Sequence, residues 1–522
     1  MTVDLRDMLT TTERVLCSNG DSRHTVGPGG TNRYGNRYVP EPGLLSFGSC
    51  TSSTISETAY DAADRLHGWI RALGPDVVAE SVDDLYERVR AELVSNIAMT
   101  SASSLDTVLC PSGTDAEMVP LLVGLAESRS VTTVLVGASE AGSGTAHAAR
   151  GDHFDAVTPS GREVEAGTPV DAEVAGRVHR ERVTIRDAAG VPRDEADIDA
   201  DVRAAVRAAV GRGDHVLLHL IAHSKTGVHA PSLDLVEELV HAHEGHVDVV
   251  IDAAQGRFSR HGLTESLRCG YIVMVTGSKF FGGPPFAGAV LVPHRRAGGS
   301  AVPTVVPEGF ADYFVPAMLP RSWREARASL PPGLGLGVLM RWWAALAEIR
   351  DYYSVPAALR LEVLRRFQRV VPAIIAATDH LELSTVPPPS DREDGTRLLE
   401  SNTTVFPFTC RRADGALLGM EPLRDLARAV RFGSPDDERL PADLARVRCE
   451  LGQPVELAGG DVSFPVLRVA LGGRDIIRAC VTPAAGSTFE QRLDHLERDV
   501  TLALRKVDAL VSLSDRQEAV AR

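Results

Sequence analysis

The segment 271–293, YIVMVTGSKFFGGPPFAGAVLVP, decides how the rest of the chain is interpreted. An apolar run rich in β-branched residues ends shortly before Lys279, glycines and prolines follow, and a second apolar run begins. Of the 55 basic residues only three are lysines, Lys225, Lys279 and Lys506, so the other 52 are arginines. Lysine is normally a surface residue. A lysine inside an apolar stretch of such a chain predicts a buried amine with a lowered pKa, the form that attacks an aldehyde.

Apolar runs like the two in this segment recur along the chain and alternate with stretches of helical spacing. The runs lie at 107–110, 131–137, 215–223, 247–254, 271–277 and 287–293. Buried strands separated by helices predict a mostly parallel sheet covered on both faces.

The regions on either side of these runs predict a division of the chain into three parts. Residues 1 to about 55 are rich in Gly, Pro, Ser, Thr and Asn and predict an irregular arm. A long helix is expected at 333–353, strands at 403–410 and 464–472, and a surface loop at 384–397. The expected division is an N-terminal arm (1–57), a large domain (58–335) and a small α+β domain with its linking helix (336–522).

Composition narrows the class of partner. A net charge of -15 argues against nucleic acid or an anionic membrane as the main partner, because both need a basic surface. The N-terminus does not resemble a secretory signal, and no apolar window is long enough for a membrane span. Seven scattered cysteines form no C-x-x-C pair, and no metal site is predicted. The chain is therefore expected in the cytoplasm, acting on a small molecule.

Two more strand ends carry polar residues suited to binding. Ser112, Gly113 and Thr114 follow the run at 107–110, where backbone N-H groups and hydroxyls at a helix start would hold a phosphate. Ordinary helix capping explains the same residues equally well. Asp252 closes the run at 247–254, where ligands bind in open parallel sheets, and its carboxylate would keep a pyridine nitrogen protonated. A helix cap is the alternative there too.

In chain order, the PSGTD turn, the DAAQ strand end and the TGSK strand end resemble fold-type I pyridoxal 5'-phosphate (PLP) enzymes. DAAQ resembles in particular the class V aminotransferase branch, which contains the cysteine desulfurases. The resemblance implies an aspartate-aminotransferase-like α/β fold, with a mostly parallel seven-stranded sheet in a large PLP-binding domain and a smaller α+β domain. It implies that Lys279 holds the cofactor as a Schiff base, with Lys225 as the rival lysine.

The same resemblance assigns contacts to the cofactor. Asp252 would pair with the ring nitrogen and Gln255 with the ring hydroxyl. Related enzymes stack a ring on the cofactor from the loop after 131–137, but that loop has no ring before His147, so Glu140 or Ala141 is expected to cover the cofactor face. The remaining cofactor contacts are expected from Ser112, Gly113, Thr114, Thr276, Ser278, Ser224 and Thr226.

On the substrate side, Arg468 resembles the small-domain arginine that clamps the substrate α-carboxylate, a task that suits a planar fork. A structural ion pair is the alternative, and Arg474 is the reserve. Ser49 and Thr51 of the arm offer hydroxyls to the substrate pocket, with ordinary loop packing as the alternative. Cys410 ends an apolar run rather than lying on a mobile loop, which disfavours a desulfurase that forms a persulfide.

The overall pattern resembles PLP enzymes of antibiotic pathways, among them the lincosamide-pathway enzymes that act on S-glycosylated cysteine conjugates. That resemblance implies an external aldimine that leads either to carbon-sulfur β-elimination or to decarboxylation with oxidative deamination. An aminotransferase acting on an amino-acid or sugar precursor is the first alternative, and a non-catalytic PLP-fold binding subunit is the second. The family also implies a homodimer with shared active sites, into which the arm or residues 300–330 would reach.

Overall fold

The computed structural model describes residues 10–384, 404–433, 438–459, 462–481 and 486–521. The predicted loop at 384–397 lies, beyond Ser384, outside the described residues. The strands are β1 (Leu45–Phe47), β2 (Leu105–Cys110), β3 (Val131–Val136), β4 (Val178–Val183), β5 (His215–Ile221), β6 (Val247–Ala253), β7 (Ile272–Thr276), β8 (Gly288–Pro293), β9 (Leu381–Leu383), β10 (Val405–Cys410), β11 (Cys449–Gly459) and β12 (Val462–Ala470).

Helices cover both sheets and connect their strands. They are α1 (Thr12–Cys17), α2 (Glu57–Leu73), α3 (Pro75–Ile97), α4 (Gly113–Ala116), α5 (Met118–Glu127), α6 (Thr145–Ala148), α7 (Ala172–Ala175), α8 (Glu195–Gly211), α9 (Leu233–Ala242), α10 (Arg260–Arg268), α11 (Arg324–Ala328), α12 (Leu336–Ser354), α13 (Ala357–Ala376), α14 (Met420–Phe432), α15 (Ala442–Ala445), α16 (Gly473–Cys480) and α17 (Phe489–Ala521). Short 3-10 turns lie at Ser22–His24, Ala102–Ser104, Ala138–Glu140, Glu308–Asp312 and Pro316–Met318. No helix within these described ranges is long and apolar enough to cross a membrane.

The larger sheet has seven strands in the order β2-β8-β7-β6-β5-β3-β4. Strands β3 to β7 run parallel to one another, while β8 is antiparallel to both β2 and β7. Every residue of β3, β5 and β7 is buried, as expected for strands covered on both faces. The prediction of a mostly parallel seven-stranded sheet is therefore confirmed.

The smaller sheet has the order β1-β11-β12-β10-β9, and its first strand comes from the N-terminal arm. Leu45–Phe47 pairs in parallel with Cys449–Leu451 of β11. The expectation of an irregular arm is thus wrong at β1, because three residues held by backbone pairing leave no apolar run to recognise. This pairing fixes the next residues, Ser49 to Thr51, between the two sheets.

The helix expected at 333–353 is α12, and it ties the parts of the molecule together. It begins after Gly335, whose φ of 60° lies in the left-handed region. Trp342 is fully buried on this helix, and its Nε1 donates to the carbonyl of Gly288 at the start of β8 over 2.8 Å. Arg341 donates to the carbonyls of Leu16 and Ser18 over 2.9 and 2.6 Å, which attaches the arm to α12.

Candidate active site at the carboxyl ends of β6 and β7

Lys279 and Asp252 meet because parallel strands end at one edge of the sheet. Asp252 pairs with Met274 across β6 and β7, and Lys279 follows β7 by three residues. Burial is the largest effect on the Lys279 amine and lowers its pKa, helped by Arg468 and Arg257 and opposed by the charge of Asp252. Asp252 accepts a hydrogen bond from the N-H of Ala254 at Oδ1, over 3.0 Å. Within the described residues neither its Oδ2 nor the Lys279 Nζ takes part in a hydrogen bond, so both are available to a ligand.

The loop after β5 brings a second lysine to the same place. The backbone N-H of Lys225 donates to the carbonyl of Glu140 over 2.8 Å. Burial lowers the pKa of the Lys225 amine to about 7, and the charges of Arg468 and Lys279 act in the same direction. Two of the three lysines in the chain therefore share one site. The third, Lys506, lies in α17 and donates to the carbonyls of Ala445 and Val447 over 3.2 and 2.7 Å.

A buried network holds the Lys225 loop. Glu140 accepts a hydrogen bond from the Ser224 hydroxyl over 2.7 Å and another from the Thr226 hydroxyl. The Glu140 carboxylate also forms an ion pair with Arg186, whose Nη2 donates to the Thr226 hydroxyl over 2.8 Å. Both side chains of the ion pair are almost fully buried. The structure therefore brings Glu140, Ser224 and Thr226 together next to Lys225, while their contacts with a cofactor stay predictions.

The PSGTD turn lies close to the end of β7. Ser112 Oγ accepts the backbone N-H groups of Thr114 and Asp115 over 3.1 and 3.2 Å, so it does cap the helix start. A β-carbon placed on Gly113 would lie 2.9 Å from Thr276 Cγ2, which shows how closely the turn meets β7. The Thr276 hydroxyl donates to the carbonyl of Ala254 over 2.6 Å. Ser278, two residues further along the chain, is buried.

An arginine of the N-terminal arm reaches this turn, which the sequence interpretation missed. Arg23 donates from Nη2 to the Ser112 hydroxyl over 2.9 Å and from Nη1 to the Thr114 hydroxyl over 3.1 Å. Asp21 holds it by accepting from Nε over 2.8 Å and from Nη2 over 2.5 Å. Burial and the charge of Asp21 raise the pKa of Asp115, beside the turn, to about 7. The buried guanidinium of Arg23 thus contacts both hydroxyls of the turn, those of Ser112 and Thr114.

Arg468 lies on β12 with its side chain only 1% exposed. Its Nη2 donates to the Thr51 hydroxyl over 3.0 Å and to the carbonyl of Gln453 over 2.8 Å, and its Nη1 approaches the carbonyl of Lys225 at 3.5 Å. Its Nε is buried and has no hydrogen-bond partner in the part of the chain that the structure describes. Arg468 forms no ion pair with any described residue, so nothing there supports the structural ion pair.

A second buried arginine, Arg257, lies five residues beyond Asp252 and was also missed. It donates to the Ser49 hydroxyl over 2.8 Å and to Gln255 Oε1 over 3.0 Å. Gln255 in turn donates to the carbonyl of Cys50 over 3.2 Å, so its side chain is already held on both sides. Burial lowers the pKa of Arg257 to about 10. Arg257 therefore joins the arm to the DAAQ strand end, and the contact of Gln255 with a cofactor hydroxyl stays a prediction.

The other substrate-side candidates lie further out. Arg474 donates to the carbonyl of Thr54 over 3.1 Å and to that of Gly282 over 2.7 Å, so it fastens the arm to the loop after Lys279. Cys410 ends β10 as expected and is buried, which raises the pKa of its thiol to about 12. Among the residues whose positions are given, no group of three or more His, Cys, Asp or Glu side chains could hold a metal ion.

The solved structures that are similar to this chain include two of one carbon-sulfur lyase and one of a NifS-like protein. The chain is similar to the cystine C-S lyase C-DES in complex with its reaction product cysteine persulfide, with 14% identity, a TM-score of 0.51 and coverage of 88% of this chain and 98% of that chain. A C-DES mutant with glycine covalently linked to its PLP cofactor has 13% identity and a TM-score of 0.52, with coverage of 88% of this chain and 97% of that chain. A NifS-like protein has 12% identity and a TM-score of 0.52, with coverage of 88% of this chain and 99% of that chain.

Other comparisons give no match. No family model matches the chain, and no curated protein matches it. At this level of identity, the similarity to solved structures shows the fold alone. The fold is the aspartate-aminotransferase-like, fold-type I fold, as the order of the three motifs implied.

Proposed function

We propose that the chain is a PLP-dependent enzyme that acts on a cysteine-like, S-substituted amino acid, with Lys279 as the residue that binds the cofactor aldehyde. The observation that carries this proposal is the half-buried Lys279, whose amine interacts with Asp252 at the carboxyl ends of adjacent parallel strands. A lysine amine that burial keeps partly deprotonated is the group that condenses with an aldehyde. Lys279 Nζ and Asp252 Oδ2, which have no hydrogen-bond partner among the described residues, suit the aldehyde and the ring nitrogen of the same molecule.

The remaining parts of the site fit the same group. Asp252 would keep the pyridine nitrogen protonated, while Arg23 and Thr114 would hold the phosphate, since a buried guanidinium and a hydroxyl meet there. When bound, PLP supplies an electron sink that weakens the bonds at the substrate α-carbon. Lys279, displaced by the substrate amine, is then placed to accept or return a proton at that carbon.

Arg468 would orient the substrate by its α-carboxylate. A buried guanidinium with an unpartnered Nε and no carboxylate partner among the described residues suits a planar, bidentate anion. Thr51 lies beside it and presents its hydroxyl to the same space. The arm and β12 would thus select an amino acid and set the orientation of its α-carbon.

Carbon-sulfur β-elimination of an S-substituted cysteine is the proposed reaction, and the cystine C-S lyase among the similar structures supports it. Thr51, beside Arg468, also borders a small opening with room for little more than a water molecule. The lining residues of this opening are Tyr34, Asn36, Thr51, Ser52, Ala427, Arg431, Glu450, Leu451 and Gln453.

The cofactor proposal is tested by adding PLP to the purified chain and recording its visible absorbance. We expect a visible band that Lys279→Ala abolishes and that Lys506→Arg leaves unchanged, because Lys506 lies in α17 and donates to the backbone carbonyls of Ala445 and Val447. A colourless wild-type protein at saturating PLP would contradict the proposal and favour a non-catalytic binding subunit.

The reaction is tested by product analysis with S-substituted cysteines. Pyruvate and a free thiol would support β-elimination. An aldehyde with carbon dioxide would indicate decarboxylation with oxidative deamination, and glutamate formed from 2-oxoglutarate would indicate transamination. The homodimer stays a prediction, which sedimentation velocity at micromolar concentration would check.

A further inference from the structure

The use of lysine in this chain is concentrated at one site. Arginine fills 52 of the 55 basic positions, yet Lys225 and Lys279 interact electrostatically with each other. A guanidinium cannot lose its proton in a protein, whereas a buried ammonium readily does. A position that needed only a positive charge could be served by the arginine that the chain uses at every other basic position except Lys506. Lysine at both positions therefore indicates that both need an amine that can exchange a proton.

The backbone on each side fixes the place of Lys225. Its loop follows β5, which lies beside β6, and Ile221 pairs with Asp252. The Lys225 N-H donates to the carbonyl of Glu140 over 2.8 Å, and the Lys225 carbonyl faces Arg468 Nη1 at 3.5 Å. No hydrogen bond engages its Nζ within the ranges that the structure describes. The side chain is thus anchored at its base while its amine is free to contact a ligand.

Four charged groups act on this amine. Arg468 and Lys279 disfavour its protonated form, while Glu140 and Asp252 favour it, and burial outweighs them all. The resulting pKa of about 7 leaves the amine able to donate or accept a proton at neutral pH. The charge of Glu140 is itself neutralised by its ion pair with Arg186.

We propose that Lys225 is a second catalytic residue of this site, the general acid that protonates the sulfur leaving the substrate. The inference rests on the function proposed above and extends it. The Lys225 carbonyl lies 3.5 Å from Arg468 Nη1, so the Lys225 loop borders the space in which Arg468 would hold the substrate. Lys279 accepts the α-proton, the carbon-sulfur bonding pair leaves with sulfur, and Lys225 gives that sulfur a proton. Both amines then return to their starting protonation states by exchange with water.

The test compares leaving groups in Lys225→Met and Lys225→Arg. With S-alkyl cysteines, whose thiolates are poor leaving groups, both variants should eliminate about 10²- to 10⁴-fold more slowly than wild type. With an S-nitrophenyl cysteine, whose thiolate needs no proton, the loss should be less than about tenfold. Exchange of the α-proton in deuterated water should stay within about threefold of wild type, because Lys279 carries it out. Equal losses with both leaving groups, or a wild-type rate in Lys225→Arg, would overturn the inference.

A spectroscopic readout separates the charge of Lys225 from its proton. Removing a neighbouring ammonium raises the pKa of the nitrogen that Lys279 contributes, so Lys225→Met should move the pH midpoint of the visible band upward. Lys225→Arg keeps a permanent charge and should not move it upward. A midpoint that is the same in wild type and both variants would place Lys225 away from Lys279 and overturn the inference.

The two proposals fail in distinguishable ways. If the wild type gives no band that depends on Lys279, the proposed function falls and the inference falls with it. If that band is present but both Lys225 variants match wild type with S-alkyl cysteines, only the inference is wrong. If Lys225→Met abolishes the band and Lys279→Ala keeps it, the roles of the two lysines are reversed.

Discussion

Replacing Glu140 by glutamine removes one charge from a buried ion pair. The side chains of Arg186 and Glu140 are 3% and 2% exposed, and Arg186 forms no other ion pair with the described residues. A lone charge left in such a place cannot be solvated, so breaking one partner of a buried pair costs about 3 to 5 kcal/mol. Unfolding entropy of about 2.1 cal/mol/K per residue amounts to about 1.1 kcal/mol/K for a chain of 522 residues. The melting temperature of Glu140→Gln should therefore fall by about 3 to 5 °C.

Differential scanning calorimetry of the protein without added PLP measures this shift. The double variant Glu140→Gln/Arg186→Met should recover most of the loss, because it leaves no charge buried alone. Glu238→Gln is the matched control, since the Arg203–Glu238 pair is 32% and 46% exposed, and it should melt within about 1 °C of wild type. The reasoning is refuted if Glu140→Gln melts at the wild-type temperature or if the double variant is no more stable than the single one.

Three further predictions concern the cofactor, the substrate and pH. Arg23→Met should weaken PLP binding by about 10- to 150-fold, the loss of a charged hydrogen bond worth about 1.5 to 3 kcal/mol. Absorbance titration measures the PLP affinity of wild type and of Arg23→Met. As a control, pyridoxal, which lacks the phosphate, should bind equally to the two proteins. An equal loss of affinity for both ligands would mean that Arg23 does not contact the phosphate. Arg468→Met should raise KM for S-substituted cysteines by about tenfold or more, while Arg468→Lys recovers only part because it cannot bind the carboxylate bidentately; a KM unchanged in steady-state kinetics would remove Arg468 from the substrate site. The lowered pKa of Lys225 means that the unfolded chain binds more protons than the folded one above about pH 7. The stability that this position contributes therefore rises from pH 7 to pH 9. In thermal melts without PLP, the melting temperature of wild type relative to that of Lys225→Met should increase over that range. A difference in melting temperature that does not change with pH would contradict this.

Sequence periodicity predicted the strands that are buried on both faces and missed those that are not. The runs that became β3, β5 and β7 are continuously apolar because helices cover them on both sides. Strand β4, VHRERV, is exposed or half-exposed at its four central residues, since it lies at the edge of the sheet. Charged side chains are a normal feature of an edge strand, and they hide it from a search for apolar runs.

The residues of the site also fall into two groups, those predictable from the local sequence and those placed by contacts between distant parts of the chain. Lys279 and Asp252 were predictable because each ends a strand of one parallel sheet, and the sheet brings such ends together. Arg23 was not predictable, because it meets Ser112 across 89 positions of the sequence through an arm without strong periodicity. The same holds for Arg257, whose contacts with Ser49 and Thr404 depend on how the arm and the smaller sheet pack.

The charge of the site would link substrate binding to the proposed acid, Lys225. Arg257 and Arg468 are buried, Lys225 and Lys279 are half-buried, and Asp252 is the carboxylate that acts on both lysines and that Arg186 does not neutralise. The charge of Arg468 helps to lower the pKa of Lys225, so a substrate carboxylate bound to Arg468 would cancel part of that effect. Binding would therefore raise the pKa of Lys225 and protonate it. An amine that is partly neutral before the substrate arrives would become an ammonium once the sulfur that needs its proton is in place.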